Sequence, residues 1–155
     1  MVVMVTGHRP ERLYGQEEDV RLWLAAKLKE LKPDSCISGM AKGVDIIFAK
    51  EVIKAGLPLN CYYPYMKPVD KYTQEQTEIN KVAQSIVFTD LEYSKKCFII
   101  RDRAMVDDSD IVLVVWDGIA AGGTYFTMEY AKKKGKQVIV YMIQKENEKH
   151  DNGID

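Results

Sequence analysis

The chain has 155 residues, enough for one domain around one core. Hydrophobic residues make up 46% and charged residues 29%, ordinary globular usage that argues against extended disorder. Its 22 basic and 23 acidic side chains leave a formal net charge of −1, so no general attraction for nucleic acid or an anionic membrane is expected, although a local basic patch is compatible with that balance.

The apolar run Met1–Val5 stops at Thr6-Gly7-His8-Arg9-Pro10, too short for a signal peptide or a membrane span, and Val2–Thr6 reads as a buried first strand. Val20, Leu24, Leu28 and Leu31 recur on one face of a helix from Gln16 to about Lys32, with Pro33 beyond its end. Ser35–Ser38 is a short strand, and Gly43–Ala55 is a helix closed by Gly56. Leu59–Tyr63 gives a third strand that runs into a Tyr/Pro-rich loop, Pro64–Tyr72. Thr73–Ala83 is helical, Ser85–Thr89 is strand-like, and Glu92–Asp108 carries a helical stripe. Asp110–Trp116 holds the most apolar run, Ile111-Val112-Leu113-Val114-Val115; Thr124–Lys134 is a helix ending at Gly135, and Gln137–Met142 is the last strand. The domain is expected over residues 1–143, and 144–155 reads as a charged, disordered tail.

Buried runs alternating with helices imply a single Rossmann-like α/β domain, a doubly wound and mostly parallel sheet with helices on both faces. Such sheets bind ligands outside the carboxyl ends of their strands, where strand order reverses. Cys36, Cys61 and Cys97 are widely spaced and odd in number, with no CxxC pair. They read as reduced core thiols of a cytoplasmic protein, and no metal site is expected.

Three glycine-bearing turns fall at the carboxyl edge: Thr6-Gly7-His8-Arg9 after the first strand, Ser38-Gly39-Met40-Ala41-Lys42-Gly43-Val44-Asp45 after the second, and Asp117-Gly118 with Gly122-Gly123-Thr124 after the fifth. Glycine admits a ligand close to the backbone, and a helix N-terminus offers N–H groups to an anion, although either feature also serves any strand-to-helix turn. Thr124 is a candidate phosphate contact as well as an N-cap. Arg101 shares a helix face with Ala104 and Asp108 and is expected to point at the sheet edge, with an ion pair to Asp108 as its structural alternative, whereas Arg103 meets solvent. His8 and Arg9 suit a phosphate, and His8 could also act as an acid or base. Asp45 favours a helix start or ribose hydroxyls. Asp117 is the remaining acid for catalysis or ribose recognition, its alternative being closure of the Asp117-Gly118 turn. Tyr62, Tyr63 and Tyr65 are candidates for a stacking wall. Asp107 and Asp108, at a helix C-terminus, call for a partner such as the arginines.

These residues resemble a known superfamily. Ser38–Asp45 is similar to the SG-L/M-A-K/R-G-I/V-D turn of the SMF/DprA proteins, and Gly123-Thr124-Tyr125-Phe126-Thr127 with Ala131 and Gly135-Lys136-Gln137-Val138 is similar to a later segment of the same proteins. Arg101, Met105 and Ser109-Asp110 are spaced as in the LOG phosphoribohydrolases. The chain thus resembles the SLOG superfamily from about Val2 to Tyr141, most nearly its YpsA/YoqJ-like branch of bacterial and phage proteins. The resemblance implies a Rossmann-like domain whose Gly122-Gly123-Thr124 turn receives the phosphate of a nucleotide. It also carries a departure: LOG enzymes place a catalytic glutamate three residues after the threonine, and this chain has Thr127 there. Glu129 lies roughly 200° round the helix from it.

The function expected is a nucleotide-binding domain, a sensor or a sequestering protein, with a small-molecule nucleotide as ligand and no further cofactor. The alternatives are cleavage of the N-glycosidic bond of a nucleoside monophosphate, with Asp117, Asp45 or His8 as catalytic candidates, and DNA handling of the SMF/DprA kind, against which the neutral charge counts. No membrane partner is expected, and a homo-oligomer is compatible with the sequence.

Overall fold

The computed structural model describes residues 1–144; the expected tail lies, beyond Gln144, outside the described residues. The elements follow in the order β1 (Val2–Gly7), α1 (Glu17–Leu31), β2 (Ser35–Ser38), α2 (Val44–Lys54), β3 (Leu59–Tyr63), α3 (Gln74–Val82), β4 (Ser85–Phe88), α4 (Cys97–Asp107), β5 (Ile111–Trp116), α5 (Gly123–Lys133) and β6 (Gln137–Met142). All described strand pairs are parallel, in the order β4-β3-β2-β1-β5-β6.

Alternation along the strands divides the core between two layers. Val3 and Val5 of β1 and Ile111, Leu113 and Val115 of β5 face α1, α2 and α3, where Val20, Leu24 and Leu28 lie buried on one stripe of α1. Met4, Val112 and Val114 face the other way, against Met105 and Val106 of α4 and Met128 and Ala131 of α5. The sheet is therefore doubly wound. Its order reverses between β1 and β5, which opens a crevice at their carboxyl ends. Among the described residues no helix is long and apolar enough to cross a membrane.

Most element boundaries fall within a residue of expectation; α4 does not. It begins at Cys97 rather than Glu92, and its buried face is Cys97, Arg101 and Met105. Tyr93, Phe98, Ile99 and Ile100, apolar enough to suggest a core stripe, are exposed. Thr73 caps α3 in a full capping box with Gln76, each side chain bonding the other's backbone N–H.

Candidate functional site

The crevice is bridged by its two flanking loops. The Asp117 N–H donates to His8 Nε2 at 3.1 Å, so that nitrogen is an acceptor and the ring proton sits on Nδ1, which faces Thr124 Oγ1 at 3.4 Å. Burial pushes the His8 pKa down; the Asp117 carboxylate pulls the other way, and the Arg12 charge adds to the fall. A neutral imidazole at neutral pH follows. The Asp117 side chain is wholly buried. Its Oδ2 accepts from Arg12 Nε at 2.9 Å and Nη2 at 2.6 Å, and its Oδ1 accepts from the Ile119 N–H at 3.1 Å. Burial alone would raise its pKa, but the Arg12 and Ile119 hydrogen bonds and the charges of His8 and Arg12 hold it below the usual carboxylate value. Asp117 thus closes its own turn and anchors an arginine, with both oxygens engaged.

The loop after β2 is fastened from within. Ser38 Oγ donates to the Asp45 carbonyl at 2.8 Å and accepts from the Met40 N–H at 3.2 Å. Met40 carries the positive φ (60°) here. Gly39 instead matters for its missing side chain, since a Cβ would stand 2.9 Å from Asp45 Oδ2 and 3.2 Å from Arg101 Cζ. Gly43, at φ 98°, lies against the loop after β1, and the Val44 N–H donates to the His8 carbonyl at 3.2 Å. Gly7 packs on the Val44 side chain. Each of these glycines makes room for a neighbouring part of the protein. The same contact occupies the start of α2.

The start of α5 is different. Gly122 (φ 91°) is its N-cap, the helix begins at Gly123, and Thr124 is the second residue rather than the cap. No side chain caps the helix, so its first-turn N–H groups, which lack intrahelical acceptors, are left to other partners. They open into a cavity of about 380 Å³, within the range of small-ligand sites. Thr6, Gly7, His8, Arg9, Lys42, Asp45, Arg101, Gly123 and Thr124 all line it. Ser38, Gly39, Gly43, Asp117, Gly118 and Gly122 are not among its lining residues.

Sequence reasoning missed Glu11, Arg12 and Asp102, which also line the cavity. Arg12 closes the same segment as His8 and Arg9, and Asp102 is the neighbour of Arg101, so proximity to those residues was the available signal. Arg101 points to the sheet edge as expected, and its guanidinium is held from two sides: Nη1 donates to the Gly39 carbonyl at 2.7 Å, and Nε donates to Asp102 Oδ1 at 2.7 Å. Its partner is Asp102 and not Asp108, which accepts from the Tyr62 hydroxyl at 2.6 Å. Asp107 likewise accepts from Tyr130 at 2.8 Å, so tyrosines and not arginines answer these two acids. Arg103 is exposed, its guanidinium over the Tyr130 ring. Of the four cations that line the cavity, Arg9 and Lys42 make no hydrogen bond among the described residues, and both are exposed. Tyr62 and Tyr63 are core residues.

Two carboxyls face these cations. Burial raises the Asp45 pKa to about 6; the Arg101 charge opposes this, Asp102 reinforces it, and the Ala41 N–H and Arg9 oppose it again. Burial also raises Asp102, against the Arg101 charge and hydrogen bonds from Arg101 and Thr127, the last at 3.4 Å. A folded-state pKa above the ordinary value favours folding at low pH, and that contribution is lost as pH rises through the folded value. Asp45→Asn is therefore expected to be more stable than the parent by about 1 kcal/mol near pH 8, less than a sealed carboxyl would give because the cavity admits solvent. The gap should close below about pH 4, where both states carry a protonated Asp45. Thermal denaturation of both proteins at the two pH values measures this, and an asparagine variant less stable at both would refute it. Among the described residues no group of three or more His, Cys, Asp or Glu side chains is gathered as a metal site.

A family model described as DNA recombination-mediator protein A matches residues 2–154. No curated protein matches the chain. Among solved structures it is similar to DNA processing protein A from Helicobacter pylori, described for its single-stranded DNA binding mode, at 24% identity over 96% of this chain and 67% of that one, with a TM-score of 0.68. DNA processing protein A from Streptococcus pneumoniae is 18% identical over 89% of this chain and 49% of its own, with a TM-score of 0.62; the chain spans about half of that protein. The molybdenum cofactor carrier protein from Chlamydomonas reinhardtii is 17% identical over 99% of this chain and 84% of its own, with a TM-score of 0.64. At these identities the likeness to the solved structures is one of fold.

Proposed function

The chain belongs to the DNA recombination-mediator protein A family, within the SLOG superfamily, and from that premise we propose that it is a nucleotide-binding domain, a sensor or sequestering protein, holding a phosphate between the first turn of α5 and the loop after β1. One observation carries the reading: the uncapped start of α5 opens into the same cavity as Arg9 and Lys42, two cations with no hydrogen-bond partner among the described residues. A helix N-terminus supplies N–H donors and a favourable dipole end, and the two exposed cations supply charge. Arg101 braces the wall behind them. Asp45 and Asp102 repel phosphate but accept hydrogen bonds from sugar hydroxyls, which suits a ligand with a sugar attached to its phosphate.

Calorimetric titration with a nucleoside 5′-monophosphate and its nucleoside tests this. Arg9→Ala and Lys42→Ala should each weaken the monophosphate by about 1.5 kcal/mol, the low end for charge-assisted hydrogen bonds because both side chains are solvated. The nucleoside should hardly respond. Gly123→Ala should weaken both ligands while leaving stability intact, because the nearest atom to its added Cβ is Asp102 Oδ2 at 4.0 Å. A monophosphate that binds all variants equally well would remove the assignment.

Single-stranded DNA is the second reading, favoured by the family and by the local cluster of Arg9, Arg12, Lys42 and Arg101 around the cavity. A net charge of −1 does not weigh against a basic patch of that kind. Steep loss of oligonucleotide binding with salt would favour it, each phosphate contact adding to the slope. Cleavage of an N-glycosidic bond would fall to Asp102, the acid hydrogen-bonded to Thr127, which Arg101 also engages.

A further inference from the structure

We propose that Tyr65, Tyr93 and Phe98 form a nucleobase-stacking platform beside the cavity; the proposal rests on the reading of that cavity as a phosphate site. Tyr65 lies in the loop after β3, Tyr93 in the loop after β4, and Phe98 in the first turn of α4, so three separate segments converge at the carboxyl edge of the sheet. The three rings contact one another pairwise, with centroids 5.6, 6.3 and 6.4 Å apart and planes at 84°, 86° and 70°. Edge-to-face packing leaves ring faces unoccupied by the cluster itself. Tyr93 is 64% exposed and Phe98 41% exposed. The cluster around Tyr63 and Phe88, by contrast, is built on a buried ring.

Charge and position identify the occupant. Lys67 Nζ stands 5.5 Å from the Tyr65 ring centre, and Arg101 Cζ stands 5.9 Å from that of Phe98. Cations beside aromatic faces, next to an anion cradle, are the combination that takes a base and its phosphate together. Arg101 also lines the cavity, and Phe98 precedes it by three residues, about 5 Å of helix rise. The platform thus adjoins the cavity through Arg101, at a separation a nucleotide can span. The base comes either from the nucleotide whose phosphate occupies the cavity or from its neighbour in a single strand.

Binding of ribose 5-phosphate, AMP and a short thymidine oligonucleotide should be measured for the parent, Tyr93→Ala, Tyr93→Phe and Phe98→Leu. Tyr93→Ala and Phe98→Leu should weaken AMP, the oligonucleotide or both by at least about 5-fold, Tyr93→Phe should bind like the parent, and ribose 5-phosphate should bind all four alike. A loss that includes AMP assigns the base to the same nucleotide; a loss confined to the oligonucleotide assigns it to the neighbour. Unchanged AMP and oligonucleotide binding in the variants, beside a parent that binds ribose 5-phosphate, overturns the platform alone. Equal losses for ribose 5-phosphate overturn it too, since the substitutions would then act through the cavity. A parent that binds none of the three removes the phosphate reading on which the platform depends.

Discussion

Gly43→Ala is expected to cost about 2–5 kcal/mol and to leave little folded protein at physiological temperature, because two independent penalties fall on one methyl group. The new Cβ would stand 2.4 Å from the His8 carbonyl oxygen and 2.9 Å from the Arg9 Cα, both backbone atoms that no rotamer change can move aside. The residue also sits at φ 98°, which an L-residue with a side chain adopts only with strain. Denaturant midpoints measure the effect, and Gly123→Ala is the natural comparison because its methyl meets only Asp102 Oδ2, at an unstrained 4.0 Å. A Gly43→Ala protein with the parent's midpoint would mean that the loops after β1 and β2 do not pack as described.

Arg12→Ala should be the next most damaging change, at about 2–3 kcal/mol, somewhat under the ~3–5 kcal/mol of a fully buried pair because the Arg12 side chain is 36% exposed. The cost arises on the other partner: the Asp117 side chain is 0% exposed and would keep its charge with only the Ile119 N–H and a neutral His8 beside it. A double variant, Arg12→Ala with Asp117→Asn, should recover much of the loss, which separates the ion pair from simple loss of packing. The pH dependence has a definite sign. The folded-state pKa of Asp117 is depressed, so its contribution is present above the ordinary carboxylate value and is lost as pH falls through the folded one. The His8 pKa is also depressed, so folding is further weakened as pH drops below the ordinary histidine value of about 6.5. The parent's acid limb should therefore flatten in Arg12→Ala. A parent-like limb in the variant would count against the pair.

The strands were legible because a parallel sheet covered on both faces demands uninterrupted apolar runs, and Ile111–Val115 is such a run, buried throughout. The stripe Val20, Leu24 and Leu28 was legible for the same reason at helical spacing. The start of α4 was not. Tyr93 and Phe98 to Ile100 have the composition of a core stripe, but composition does not say which apolar residues stay at the surface, and these do.

Within the candidate site, glycine turns marked the right edge of the sheet without revealing what each glycine accommodates. Gly7 and Gly43 make room for another segment of the protein, and Gly39 makes room for Asp45 and Arg101. Charged residues were harder still. Whether Arg101 or Arg9 has charge to spare depends on carbonyls and carboxylates far away in sequence, such as that of Gly39, which no local pattern displays. Asp117 and Arg12 belong to the same category, 105 residues apart.

The hydrogen bond between His8 and Asp117, separated by 109 positions, has a consequence for synthesis on the ribosome. The strand of this sheet that comes first in the chain, β1, lies in its interior, and one of its two neighbours, β5, is translated only after β2, β3 and β4. Until then the nascent chain carries an open, apolar strand edge along Val3–Gly7, the kind of surface that invites wrong pairing or chaperone capture. The crevice does not exist at that stage, so a ligand of the proposed site would act on the finished protein and could not guide the growing one.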